Sequence, residues 1–214
     1  MSVLLAGLPI SVGGVTVNRL CGSGMQAVID AARAIALGEG DVIIAGGTES
    51  MTRAPFVMPK ASEAFTRTNA VYDTTIGWRF TNPKLAKMYY PYSMGETAEN
   101  VAKRYNIPRE RQDEFAMHSQ QKAKEAIFGG KFRNEITPVE IITKKETHVF
   151  DVDEFPRFDT TMDKLAKLKP AFAKEGGSVT AGNSSGVNDG ACALLLTSAD
   201  KADELGLTKR ARIV

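Results

Sequence analysis

The run Met25–Leu37, MQAVIDAARAIAL, constrains the fold more than any other stretch of this chain. It is apolar around most of a helical circumference, Asp30 and Arg33 are its only charges, and Gly38 ends it. Such a helix has little solvated face and must be covered by other elements. Upstream, Val15, Val17 and Leu20 punctuate a segment entered from Gly13-Gly14 and predict a strand. Downstream, Asp41 opens the continuous apolar run Val42-Ile43-Ile44-Ala45, closed by Gly46-Gly47. Strands buried on both faces of a parallel sheet read this way. Strand, buried helix and strand in that order predict a βαβ unit of an α/β domain.

From about Arg53 to Gly177 aromatic and charged residues rise, and long polar connections separate amphipathic stretches. Helices are predicted around Thr97–Tyr105 and from Pro108, with proline at the first helical position, to Gly129-Gly130. Asn134–Thr143 reads as a strand and Asp159–Lys174 as partly helical, so this region is expected to be an insertion packed on a core. The core pattern then resumes. A small-residue loop, 178–190, leads into a buried strand, Ala191–Thr197, and Ser198 caps a short helix closed by Gly206. Ala211–Val214 begins another strand and stops, which suggests truncation.

Composition narrows the function classes. Net charge is +2, so no strong field for a polyanion exists and nucleic acid is not a favoured partner. No apolar run approaches the roughly 20 residues of a membrane-spanning helix. The opening residues lack a basic leader, and two cysteines cannot build a disulfide framework, so a reducing compartment, the cytoplasm, is expected.

Cys21 stands where a strand should end and the buried helix begin, so helix amides and the positive dipole end face its sulfur. That setting activates cysteines as nucleophiles. Gly22 and Gly24 would let a substrate approach the backbone and leave amides free for an oxyanion. Cysteine is also among the most buried residue types and often only fills space, and position alone leaves both readings open. Gly22-Ser23-Gly24-Met25-Gln26-Ala27 further fits the dinucleotide fingerprint G-x-G-x-x-A. That fingerprint wants an acidic residue at the end of the second strand, whereas Glu39 and Asp41 precede it, so an NAD-dependent Rossmann oxidoreductase is the weaker alternative. Cys192, inside an apolar strand, reads as core. His118 reads as part of a solvated helix face and His148 sits in a polar run, so neither has a catalytic setting. No histidine, cysteine and acid spacing supports a metal site. Lys164, Lys167, Lys169 and Lys174 could meet a phosphate, although solvating a helix is the usual outcome.

Asn18-Arg19-Leu20-Cys21-Gly22-Ser23-Gly24-Met25-Gln26-Ala27 resembles the acyl-enzyme cysteine motif of thiolases. Gly46-Gly47-Thr48-Glu49-Ser50-Met51, Met94-Gly95-Glu96-Thr97-Ala98-Glu99-Asn100, Lys167-Leu168-Lys169-Pro170-Ala171-Phe172 and the stretch from Val179 to Ala191 resemble later blocks of that family, in order. The resemblance implies the five-layered αβαβα thiolase fold, present in part. Residues 1–55 would open the N-terminal domain, 56–177 would be the loop domain that holds CoA, 178–206 would close the N-terminal domain, and 207–214 would start the C-terminal one. It implies an acyl-CoA C-acyltransferase in which Cys21 takes the acyl group from a β-ketoacyl-CoA as a thioester. Acyl-CoA and CoA are then substrates, with no covalently bound cofactor. Ser185 would bond the pantetheine arm, Ala181, Phe172 and Met94 would line its tunnel, Arg157 would lie near the adenine, and Leu85 would be a wall residue. For Phe172 and Met94 plain core packing competes with that role. Ser93 stands where biosynthetic acetoacetyl-CoA thiolases usually carry histidine, and Tyr72–Phe80 resembles degradative thiolases of β-oxidation and of the β-ketoadipate type. The family's activating histidine, its asparagine-bearing oxyanion motif and its second cysteine have no counterpart in this chain. The resemblance further implies a homodimer or homotetramer. A non-catalytic acyl-CoA-binding relative is the alternative.

Overall fold

The computed structural model describes residues 1–214. In chain order the first elements are α1 (Ser2–Leu5), α2 (Ser23–Ala36), β1 (Val42–Glu49), a 3-10 turn (Met51–Arg53), β2 (Phe56–Val57), β3 (Tyr72–Asp73) and α3 (Pro83–Met88). Then come α4 (Met94–Arg104), α5 (Arg109–Phe128), β4 (Val139–Ile142), β5 (Thr147–Phe150), α6 (Met162–Ala166), β6 (Gly190–Thr197) and α7 (Ala199–Glu204). They fall into two compact units: Met1–Arg53 with Val187–Val214, and Ala54–Gly186. No helix is long and apolar enough to cross a membrane.

In the first unit β1 and β6 pair antiparallel, from Val42 opposite Thr197 to Glu49 opposite Gly190. Alternation places Ile43 and Ala45 on one face, with Leu196 directly across from Ile43. Against that face α2 lays Ala27, Val28, Ala31, Ala32 and Ile35, a single stripe at helical spacing. Ala31, Ala45 and Leu196 are the buried centre. Alanine on both sides lets the helix approach the sheet closely. Polar closures stand at both ends of the ladder. Thr197 Oγ1 donates to the Asp41 carbonyl at 2.7 Å. At the other end Thr52 donates its amide (2.9 Å) and its hydroxyl (2.6 Å) to the two oxygens of Asp189.

Several expectations are corrected. No strand forms over Gly13–Leu20, where only an isolated bridge joins Arg19 and Cys21, because the alternating residues meet no neighbouring strand. The sheet is antiparallel, so the predicted parallel βαβ unit is not present. Its strands are covered on one face only, and Ile44 and Leu195, opposite each other, are both exposed. Cys192 is exposed, not core. Among the residues of α2 only Ala31 is fully buried, since a two-stranded sheet covers only one side of the helix. Residues 207–214 form no strand. The dinucleotide fingerprint also lacks its leading strand. β1 runs through the glycine pair to Glu49, so an acid does end the strand, but no strand precedes α2.

In the second unit α4 begins with a capping box, Ser93 Oγ accepting from the Glu96 amide and Glu96 from the Ser93 amide. Pro108, expected at the first helical position, is instead the N-cap of α5, with extended backbone, and the helix starts at Arg109. α5 packs on α6, β4 and β5 form a hairpin, and β2 pairs with β3. The strand expected over Asn134–Thr143 shortens to β4, because Glu135 turns back to bond the Phe132 carbonyl.

Gly46 and Gly47 are adjacent yet unequal. A Cβ at Gly46 would overlap the Cys192 carbonyl across the ladder, whereas one at Gly47 would meet nothing within 4 Å. Gly46→Ala is therefore expected to destabilise the chain by about 2 kcal/mol through overpacking. Gly47→Ala should stay within about 0.5 kcal/mol of the unaltered chain. Urea unfolding followed by circular dichroism measures both, and equal effects would contradict this packing.

Candidate active site

Cys21 occupies the elbow that leads into α2. Leu20, just before it, holds left-handed backbone with φ 51°. A non-glycine residue there costs on the order of 1 kcal/mol or more, so the surroundings must impose it. The turn amides do part of this, Gly22 donating to the Arg19 carbonyl and Ser23 to the Leu20 carbonyl, each at 3.0 Å. Side chains do the rest. Asn18 Oδ1 accepts from the Leu20 amide at 2.9 Å. Ser23 Oγ donates to the Leu20 carbonyl at 2.6 Å and accepts from the Arg19 amide at 2.8 Å. Arg19 donates to Gln26, and Gln26 to Asp30, both at 2.7 Å, which ties the elbow to the first turns of the helix.

The thiol of Cys21 is exposed at this elbow. The expectation that Gly22 offers a free amide is corrected, since the Arg19 carbonyl occupies it. Gly24 and Met25 are the amides without a backbone acceptor, at the positive end of the helix dipole. The unit that carries Cys21 contains no histidine, because His118 lies on α5 and His148 in β5.

The residues expected to meet CoA lie in the second unit. Met94 opens α4 and is 78% exposed. The ring of Phe172 lies so closely over Gly95, the next residue, that no Cβ could fit there. The Ala171 amide donates to the Val179 carbonyl at 3.0 Å, tying Phe172 to the loop that carries Ala181 and Ser185. Both of those residues are exposed. Met94, Phe172 and the 179–185 loop thus form one connected set of segments, and Phe172, 41% exposed, is not a core residue. Leu85 sits elsewhere on α3, whose cap Asn82 accepts from the Lys84 and Leu85 amides. Arg157 is held by α5, its amide donating to Gln120 Oε1 at 2.8 Å. Of the four lysines weighed for phosphate, Lys164 is paired with Asp159.

Sequence reasoning passed over the group that holds this loop. Glu99 on α4 accepts from the Ser178 amide (2.9 Å), the Val179 amide (2.8 Å) and Ser178 Oγ (2.9 Å). Gln112 on α5 adds a bond to Ser178 Oγ at 3.0 Å. An acid on a polar helix reads as solvated, and no local spacing links it to a loop 79 residues on. Burial pushes the Glu99 carboxyl up, yet the Val179 and Ser178 bonds, with the charge of Arg109, outweigh it and hold the pKa below the usual glutamate range.

A family model for the thiolase N-terminal domain matches residues 1–200. A β-ketoadipyl-CoA thiolase of Acinetobacter baylyi is 54% identical over 215 residues, covering 100% of this chain and 53% of the relative. A 3-oxoadipyl-CoA/3-oxo-5,6-dehydrosuberyl-CoA thiolase of Escherichia coli K12 is 54% identical over 216 residues, with the same shares. Among solved structures, an acetyl-CoA acetyltransferase from Syntrophomonas wolfei superposes with a TM-score of 0.84 at 39% identity, covering 96% of this chain and 50% of that one. The chain spans about half the length of the curated relatives it matches.

A depressed carboxyl pKa stabilises the fold above the unfolded value, and the contribution disappears as pH falls through the folded one. The stability difference between the unaltered chain and Glu99→Gln is therefore expected to be full near neutrality and to vanish as pH drops below about 4. Paired urea titrations across that range check it, and a difference that does not change with pH would contradict the clamp.

Proposed function

The chain belongs to the thiolase family, and from that premise we propose that it is the nucleophile-bearing portion of a β-ketoacyl-CoA C-acyltransferase of the β-ketoadipyl-CoA type. The observation that carries the reading is the exposed Cys21 at a side-chain-locked elbow, with the Gly24 and Met25 amides unpaired beside it. In the proposed reaction Sγ attacks the keto carbon of the substrate. The bond between that carbon and the α-carbon breaks, and its electron pair leaves with the acetyl-CoA portion, which takes up a proton. An acyl thioester on Cys21 remains, and the thiolate of free CoA then takes the acyl group, restoring the cysteine. Run backwards, the sequence is a Claisen condensation. Donors aimed at the developing oxyanion lower the barrier, the role assigned here to the helix amides.

The substrate preference rests on the names of the two relatives described and on Ser93 and the Tyr72–Phe80 segment. Ser185, Ala181, Phe172 and Met94 would receive the pantetheine arm, Arg157 the adenine, and Leu85 a wall of the site. The Cys21 unit holds no histidine, so a histidine acting as the proton-transfer group would come from outside that unit. The working enzyme is taken to be a cytoplasmic homodimer or homotetramer acting on CoA thioesters.

Incubating the chain with acetoacetyl-CoA or β-ketoadipyl-CoA and reading the intact mass tests the proposal. An acyl adduct is expected on the unaltered chain and on Cys192→Ala, and none on Cys21→Ala. Steady-state release of acetyl-CoA is expected to stall once the adduct has formed. An adduct that persists in Cys21→Ala would overturn the assignment. No adduct at all on a folded chain that binds CoA would favour a non-catalytic acyl-CoA-binding protein instead.

A further inference from the structure

Behind the exposed loop residues lies a buried polar cluster that the reaction does not use. Asp113 on α5 is 2% exposed and Thr180 is fully buried. Asp113 Oδ2 accepts from Arg109 Nε at 2.7 Å, and its Oδ1 accepts from Asn183 Nδ2 at 2.9 Å. The same Asn183 nitrogen donates to the Ser178 carbonyl at 2.9 Å, while Asn183 Oδ1 accepts from the Thr180 amide at 2.7 Å. One side chain thus ties together both ends and the middle of the segment 178–183. Arg109 Nη2 extends the cluster to the carbonyls of Leu165 (2.6 Å) and Leu168 (3.1 Å), where α6 ends. Gly182 seats the loop on that same end, since a Cβ there would come within 2.6 Å of Leu165 Cδ2 and 2.5 Å of Leu168 Cδ1. No buried side-chain nitrogen or oxygen is left without a partner.

A buried ion pair is a poor way to gain stability, because well-packed apolar residues of similar volume serve as well or better. What a fully bonded network supplies is a single geometry, since breaking one member leaves the others buried and unpaired. Here the geometry belongs to a short loop whose exposed outer residues include Ala181, with Ser185 two residues beyond the cluster. We propose that Asp113 and Asn183 are positioning residues for acyl-CoA binding, fixing the 178–183 backbone so that Ala181 and Ser185 meet the pantetheine arm. This rests on the CoA reading above and adds to it the residues that determine whether the arm, as distinct from the nucleotide, is held.

The test is isothermal titration of the 214-residue chain with CoA and, separately, with adenosine 3′,5′-bisphosphate, which lacks the arm. Asn183→Ala and Asp113→Asn are each expected to weaken CoA about tenfold, the scale of a lost hydrogen bond to a charged or buried group. Binding of the bisphosphate should be unchanged, and amide exchange over 178–186 should quicken. If Asn183→Ala does not fold, Gly182→Ala displaces the same loop with every polar group in place, and the same selective loss is expected. Unchanged CoA affinity in folded variants, or an equal loss for both ligands, overturns the positioning role alone. If the unaltered chain binds neither ligand, the CoA reading falls and this role with it.

Discussion

The antiparallel ladder between β1 and β6 is the constraint on which the Cys21 unit depends. It joins segments separated by a whole compact unit, so its formation must offset the closure of a very long loop, a cost on the order of 4 kcal/mol. Register matters as much as pairing. A slip of one residue in one strand would turn either Ile43 and Ala45 or Leu196 away from α2 and leave part of the helix stripe uncovered. The close approach of Gly46 to the Cys192 carbonyl and the hydroxyl bonds at both ends exclude that slip. With the sheet in register, α2 is anchored along its length, and its first turn fixes where Cys21 stands.

Much of this was legible in the sequence, and the misses have identifiable causes. α2, its stop at Gly38 and the Ser198 cap follow from helical period and end chemistry, which act within a few residues. The alternation at Val15, Val17 and Leu20 promised a strand, but a strand is defined by a partner, and periodicity says nothing about whether one arrives. The same gap hid the antiparallel pairing of β1 and β6 and made Cys192 look like core. Apolar runs were read as doubly covered when only one face had a neighbour.

The candidate site divides along the same line. Cys21 was visible because its elbow is local, with the serine, asparagine and glycine that shape it all within a few positions. The loop behind Ala181 and Ser185 was not, because the side chains that fix it come from α4 and α5. α5 is a polar helix with no sharp apolar stripe, and such a pattern is normally taken as solvated. In the structure its polar residues bond neighbouring segments: Asp113 the Asn183 side chain, Gln112 the Ser178 hydroxyl and Gln120 the Arg157 amide. The helix holds its surroundings through hydrogen bonds where a more ordinary helix would use hydrophobic contacts.

The lock between Thr52 and Asp189 also bears on how such a chain can change over generations. Two residues 137 positions apart are bonded directly, so the excursion between them departs and returns at one place. What lies between can lengthen, shorten or be exchanged for another module with closely spaced ends, and the scaffold around Cys21 keeps its register. Selection can then act on the excursion and on the Cys21 unit as separately inherited parts.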